Sequence, residues 1–467
     1  MNRCIKYLLY YIMSCSYLIL YIYFGTEREL KSLNYCSNLK ENYIFQIIII
    51  YAFFYFSIYF LQKKIKNNNF KFYSIALFSV ITMAYLSYFT RGELLKWILF
   101  NDPHDTFMDY FNCLFLGDTP YSAQPIEGYP KIAVYPPLSM VFFNILGHIS
   151  APDSIQPWHK TAIDIRSSQV GMTVFGLYST ILYTSIVYLW TCIKQGNACE
   201  KISFVFSMLL SIPFIFMFER GNNILLSLFF LTCFVFFNDY PNRKVQLTSF
   251  MCLAIATSIK ISPVIFSLVL LRNKRYKDFV LSMFFTVVIF FLPFIFLDDV
   301  FIEQFFQFVE IIRDNSFFYS NAVFPIIFID SKKLLSIFIP EFISTIIKWF
   351  IILCGIWEVL FFKALTKWEV ITILSSLVIL IPPFSAIYSL VYMSIPLILY
   401  LDRDKDIFKT NDNIFLYFFL GIFILIPNFP NTYRISTFLE CISILEIVLL
   451  IELRAIVKAF KTNNNNN

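Results

Sequence analysis

Along most of the chain apolar residues do not alternate with polar ones. They run together in stretches of about 16 to 26 residues, separated by short polar loops. A helix needs about 20 apolar residues to cross the roughly 30 Å hydrocarbon core of a bilayer, so these stretches are long enough to span. Read this way, the pattern predicts about fourteen spans, near 5–23, 43–62, 71–89, 135–150, 168–193, 202–218, 223–238, 246–271, 279–297, 341–363, 368–381, 384–401, 413–428 and 436–456. In lipid only helices or closed barrels satisfy the backbone, and barrel strands alternate where these runs do not. The predicted fold is therefore all-α, a polytopic transmembrane helix bundle forming one membrane domain over residues 1–462. An Asn-rich tail at 463–467 is expected to be disordered.

Composition agrees. Of the 467 residues 58% are hydrophobic and only 15% charged, outside the range of an ordinary soluble domain. The formal net charge of +6 does not indicate nucleic acid, because Lys and Arg gather in short inter-span loops. The strongest are Lys63 to Lys71, Arg272 to Lys277, Lys363 to Lys367, and the tail with Arg454, Lys458 and Lys461. Basic loops favour the cytoplasm, and strict alternation of the spans puts all four there, with both termini inside and long loops at 90–134 and 298–340 outside. The same alternation makes the turn at Arg220 cytoplasmic. The first apolar stretch follows a short basic start but lacks a small-residue cleavage site, so it reads as a retained span rather than a removed signal. The ten cysteines form no CxxC pair, and the three histidines have no ligand spacing, His104 beside Asp105 being the nearest to one. No metal and no cofactor are expected, and no phosphate-binding loop or dinucleotide fingerprint is present.

The outer loop 90–134 concentrates the acidic chemistry, with Asp102, Asp105, Asp109, Asp118 and Glu127. Its prolines and aromatics favour an ordered, lid-like segment. Asp105 and Asp109 are four apart, which on a helix puts both on one face, where like charge and desolvation raise one pKa. Such a carboxylate suits general-base removal of a hydroxyl proton. Lys260 sits in an otherwise apolar run, where an ammonium either snorkels to an interface or meets an anion in a cavity. Arg313, Asp314 and Asn315 in the second outer loop read equally as acceptor contacts or as solvated loop.

Six short segments in order carry a resemblance. Asp109-Tyr110 is followed by Gly117-Asp-Thr-Pro-Tyr121 and by Tyr135-Pro-Pro-Leu138 opening a span; then come Glu219-Arg-Gly-Asn-Asn223, Lys260-Ile-Ser-Pro263 and Pro382-Pro-Phe-Ser-Ala-Ile-Tyr388. Together they resemble glycosyltransferase family 87, multi-span C-type enzymes that use polyprenyl-phosphate sugars. The resemblance covers about residues 100 to 400. It implies a hexose, mannose in the typical case, moved to a lipid or glycan acceptor with inversion, at the outer face of a bacterial plasma membrane. It implies Asp109 or Asp105 as base, Lys260 and Arg220 as partners of the donor phosphate, and Tyr121, Tyr135, Asn222, Asn223 and Tyr388 as substrate contacts. Two positions depart from the family pattern: Cys113 stands where a tyrosine is usual, and Tyr388 where a histidine is common. The rival reading is a transporter or lipid flippase, which predicts broken or charged spans paired between two halves. Here the acidic groups cluster in one outer loop instead.

Overall fold

Caps and prolines cut the apolar runs into helices. The structure, a computed structural model, describes residues 67–89, 106–116, 120–122, 134–150, 162–297, 300–321, 340–382, 385–403, 413–423, 440 and 443–455. The expected spans 5–23 and 43–62, the tail 463–467, and Asp105 with His104 lie outside them. Among the described residues the chain is helical and has no strand. In order the helices are α1 (Asn68–Phe89), α2 (Met108–Phe115), α3 (Pro137–Ser150), α4 (Ala162–Ser167), α5 (Gln169–Ile193), α6 (Ala198–Leu209), α7 (Ile212–Arg220), α8 (Ile224–Phe237) and α9 (Arg243–Ile259). A 3-10 turn (Ser262–Ser267) leads into α10 (Leu268–Arg272), followed by α11 (Tyr276–Phe291), α12 (Phe301–Asn321), α13 (Glu341–Phe361) and α14 (Lys367–Leu380). Besides a 3-10 turn (Leu292–Phe296) that extends α11, a third 3-10 segment (Ile387–Met393) leads into α15 (Ser394–Leu401), and α16 (Asn413–Phe423) and a helix over 443–455 complete the described set.

Among the described residues three helices are long and apolar enough to cross a membrane: Gln169–Ile193, Tyr276–Phe296 and Glu341–Phe361. The pair α6 and α7, bent by 55°, forms a fourth if it is taken as one broken span. Side-chain caps start several of these helices. Ser168 accepts from the Gly171 amide, Asn197 from Glu200, and Thr366 with Glu369 makes a reciprocal capping box.

Two breaks lie inside predicted spans and share a cause. Pro213 stands at the start of α7 and Pro263 at the start of the 3-10 turn, and a proline lacks the amide an interior helical position needs. At Lys260 the backbone is extended (φ −142°, ψ 123°), so the run 246–271 is not one rod.

Contacts assign the helix ends to two ends of the bundle. At one end Lys194 pairs with Asp402, Arg275 with Asp239 at 2.9 Å, Lys367 with the same Asp239 at 3.6 Å, and Arg243 with Asp278 at 2.7 Å. Arg272 donates to the carbonyls of Val359 (2.7 Å) and Leu365 (2.9 Å) there, and the Arg403 guanidinium lies over the Trp368 ring. This is the basic end. At the other end Arg166 donates to the Thr106 carbonyl at 2.8 Å, and Tyr121 packs against Phe294.

Chain direction follows, and it corrects the strict alternation at two places. Tyr135 before α3 and α4 after it both sit at the far end, so α3 does not cross; Gly147 packs so close to the Leu114 carbonyl that a Cβ would meet it at 3.2 Å. The described residues 135–150 and 162–167 therefore lie at the far end. Arg243 and Arg272 both sit at the basic end, so α9 rises to Lys260 and the 3-10 turn with α10 returns: the run 246–271 is re-entrant. The two departures cancel in parity. They leave the 272–277 loop where alternation put it and move the Arg220 turn to the end opposite the basic residues.

The bundle holds two apolar clusters. The larger surrounds α14, whose residues from Trp368 to Leu380 are all buried, as a helix apolar on every side requires. Lipid tails are as apolar as these side chains, so this core coheres by close packing rather than by expulsion of water. The smaller is aromatic and lies at the far end, joining Tyr110, Phe111, Tyr121, Tyr135, Phe143, Phe175, Phe294 and Phe308. It binds α2 and α3 to α5, to the end of α11 and to α12.

Candidate active site

Asp109 sits in the first turn of α2, where the helix dipole favours an anion. Above it α7 ends at Arg220 with the chain reversed by Gly221 (φ 66°). The Gly221 amide donates to Phe218 O at 3.0 Å and the Asn222 amide to Met217 O at 3.2 Å, a glycine-ended C-terminal turn. A side chain at Gly221 would be strained, since its conformation is left-handed and a Cβ there would stand 3.0 Å from the Tyr110 Cβ. The reversal puts Arg220 and Asn222 on either side of one carboxylate. Arg220 Nη2 donates to Asp109 Oδ1 at 2.5 Å, and Asn222 Nδ2 donates to Oδ2 at 2.7 Å.

Asn222 is itself held in register. Its Oδ1 accepts from the Ile224 amide at 3.0 Å, which turns its Nδ2 toward both Asp109 and the Tyr135 hydroxyl, the latter at 2.9 Å. The Tyr135 carbonyl accepts from the Tyr121 hydroxyl at 2.8 Å. Asn223 donates to Ser139 Oγ at 2.9 Å, and Ser139 donates to the Ile259 carbonyl at 3.1 Å. That chain of bonds links the α7–α8 turn to α3 and to the last residue before Lys260.

Lys260 thus arrives at the tip of the re-entrant pair. Its Nζ lies 4.1 Å from the centre of the Tyr135 ring and 5.7 Å from that of Tyr388, which stacks on Phe216. Ring faces attract an ammonium without neutralising it. Among the described residues no carboxylate stands in ion-pair contact with it, so its charge is open to an anion entering beside Asp109.

The carboxylate is enclosed but not sealed, with 14% of the Asp109 side chain exposed and 16% of Arg220. Burial pushes the Asp109 pKa up to about 6, against the hydrogen bond from Asn222 and the charge of Lys260, which lower it. The Arg220 guanidinium in contact acts in the same lowering sense, so the group is ionised at neutral pH. Each carboxylate oxygen carries one donor here and has capacity for another. The arrangement can accept a proton from a hydroxyl at Asp109 while two cations, Arg220 and Lys260, face the same space.

Of the sequence-predicted site residues, Asp109, Arg220, Asn222, Tyr135, Lys260 and Tyr388 come together in this cluster. Tyr121 and Asn223 adjoin it, buried, with polar atoms that bond protein, and Asp105 lies outside the described residues. Arg313, Asp314 and Asn315 fall on α12, where Asn315 donates to the Ile311 carbonyl. Sequence reasoning missed Ser139, Arg166 and Phe107. Nothing in their spacing marks them, since they bond to backbone that only the fold brings near. Among the described residues no three His, Cys, Asp or Glu side chains gather as a metal site.

Comparison with known proteins adds one match: the family model described as glycosyltransferase family 87 aligns to residues 133–379. The matched stretch contains the Arg220 turn and Lys260, and α2 with Asp109 precedes it. No curated protein and no solved structure matches the chain.

Proposed function

The chain belongs to glycosyltransferase family 87 and is a multi-pass membrane glycosyltransferase, with a sugar donor and an acceptor as its substrates; from that premise we propose that it moves a hexose, mannose, from a polyprenyl-phosphate donor to a lipid or glycan acceptor at the non-cytoplasmic face. The observation that carries this reading is the Asp109 carboxylate held between Arg220 and Asn222, with the Lys260 ammonium beside it.

Asp109 removes the acceptor hydroxyl proton as the acceptor oxygen bonds to the anomeric carbon from one face. The bond to the donor phosphate oxygen breaks on the other, and its electron pair leaves with the polyprenyl phosphate. One displacement inverts the centre. Lys260, and Arg220 in part, stabilise the charge gathering on the phosphate, which is where fixed cations lower a barrier. Asn222 and Tyr135 hold the base, and Tyr388, whose ring faces Lys260, lines the donor side with Tyr121 and Asn223 behind. Asp105, four residues before Asp109, shares its proton or holds it in place.

The outward orientation rests on charge. Lys194, Arg243, Arg272, Arg275, Lys367 and Arg454 gather at the end opposite Asp109, the distribution that marks a cytoplasmic face. A reporter fused after Arg275 should read as cytoplasmic and one placed within 110–130 as external.

The deciding assay supplies labelled polyprenyl-phosphate mannose and polyprenyl-phosphate glucose, separately, to membranes with extracted lipids and glycans as acceptors. Transfer from the mannose donor is expected. Transfer from glucose alone replaces the sugar, and transfer only from a nucleotide sugar overturns the donor class.

A further inference from the structure

Phe107 is the residue before α2, and it carries a left-handed backbone (φ 61°, ψ 11°) that a bulky side chain rarely adopts. Among the described residues one other non-glycine shares that sign, Lys274, in the basic loop away from the site. Strain of this kind persists only where the surroundings hold it, and here they do so on three sides. The Phe107 amide donates to the Glu219 carbonyl at 2.6 Å, one residue before Arg220. Its own carbonyl accepts from the amides of Tyr110 and Phe111 at 3.1 and 3.2 Å, which starts the helix that carries Asp109. Its ring packs on Phe175 at 4.6 Å and Phe218 at 5.6 Å.

The other left-handed residue at this junction is Gly221, and the two are pressed together. A Cβ on Gly221 would lie 3.2 Å from the Phe107 carbonyl oxygen and 3.3 Å from its Cα. One residue begins the base's helix; the other ends the helix that delivers Arg220 and opens the turn that delivers Asn222. No side chain caps α2, so the direction in which Asp109 leaves the backbone is set by this contact.

We propose that Phe107 is a positioning residue, whose left-handed backbone, latched to the Glu219–Gly221 turn, aims the Asp109 carboxylate between Arg220 and Asn222. The inference rests on the reading of Asp109 as the base. It predicts that the conformation at 107, more than the ring, controls turnover.

Two substitutions separate these contributions. Phe107→Val puts a β-branched residue where the left-handed region costs it most, so the chain relaxes and the carboxylate shifts; a displacement of about 1 Å at a reacting group costs roughly 100-fold in rate. Phe107→Asn removes the ring but accepts the left-handed region readily. With polyprenyl-phosphate sugar as donor, Phe107→Val should lower kcat about 100-fold with donor KM changed less than about threefold. Phe107→Asn should keep kcat within about fivefold while its unfolding temperature in detergent falls, because it loses ring packing. The Val change made on top of Asp109→Asn should cost almost nothing further, since the group it misplaces is already gone.

Equal loss of kcat in the Val and Asn variants would overturn the proposal in favour of ring packing, as would an undiminished Val penalty in the Asp109→Asn background. Full activity in Phe107→Val would overturn the latch alone. Full activity in Asp109→Asn would instead remove the base itself, so the two failures are told apart.

Discussion

The two ends of the bundle use charge in opposite ways. At the basic end ion pairs join helix ends: Lys194 with Asp402, Arg243 and Arg275 with Asp278, Arg275 and Lys367 with Asp239, and Arg454 with Glu369 at 3.5 Å. Several of these are half exposed, and Arg272 spends its donors on the carbonyls that end α13. Such groups finish helices. At the far end one carboxylate meets one guanidinium in an aromatic setting, each about one-seventh exposed, with an amide fixing the remaining oxygen. A second cation rests on two ring faces there rather than on a carboxylate. The lesson is that charge number does not single out the candidate site of this chain. What marks the candidate site is charge enclosed where water screens it least.

The sharpest way to break this contrast is Asp109→Asn, which preserves shape and deletes the proposed base, although its amide NH2 can accept from neither Arg220 nor Asn222. Loss of a general base costs about 100- to 10,000-fold in rate, so transfer should fall to a small residual rate while donor binding is largely retained. Asp105→Asn should cost less. Wild-type turnover in both would end the mechanism, and the reverse order of damage would move the base to Asp105. Radiolabel transfer at saturating donor measures this directly.

Lys260→Met comes next. The methionine fills the same volume between Tyr135 and Tyr388 and removes the charge. Charge-assisted contacts are worth about 1.5–3 kcal/mol each, so donor KM should rise roughly 10- to 100-fold with the protein folded and inserted. Unchanged donor affinity would mean that the ammonium only snorkels.

The pH profile sharpens the same end. A base works ionised, and burial lifts Asp109 to about 6, so turnover should fall as pH drops below about 6 rather than below the ordinary carboxylate range near 4. Arg220 opposes that lift, and Arg220→Gln should therefore move the acidic limb upward in pH. An acidic limb that stays near 4 in the wild type would show that Asp109 does not titrate in the rate-limiting step.

How much of this was legible in the sequence differs between the same two regions. The long rods were plain: 168–193 appears as Gln169–Ile193 and 341–363 as Glu341–Phe361, because unbroken hydropathy reports length well. Direction was not, because apolar residues that line protein read the same as those that line lipid. Residues 137–150 are apolar through packing on Tyr110 and Tyr178, not through crossing, and 246–271 hides a reversal. The sequence did carry that second signal, in Lys260-Ile-Ser-Pro263, where an ammonium and a proline three residues apart end a helix. The charged and amide members of the cluster were found from motifs. Phe107 was not, since a left-handed phenylalanine is set by its neighbours in space and by nothing beside it in the chain.

The smallest expected effect tests the basic end. Arg243 reaches Asp278 at 2.7 Å with 52% of its side chain exposed, while Asp278 keeps a second partner in Arg275 at 2.7 Å. Exposed pairs contribute about 1 kcal/mol or less, because water screens the attraction and ordering two long side chains opposes it. Arg243→Gln leaves no buried charge stranded, since Arg275 still faces Asp278. It should therefore lower stability by less than about 1 kcal/mol and keep transfer within about twofold, read from detergent unfolding and from the donor assay on the same preparation. A tenfold loss of transfer without loss of stability would mean that the basic end is coupled to the site along α9, whose first residue is Arg243 and whose last precedes Lys260. The division of labour between the two ends would then fail.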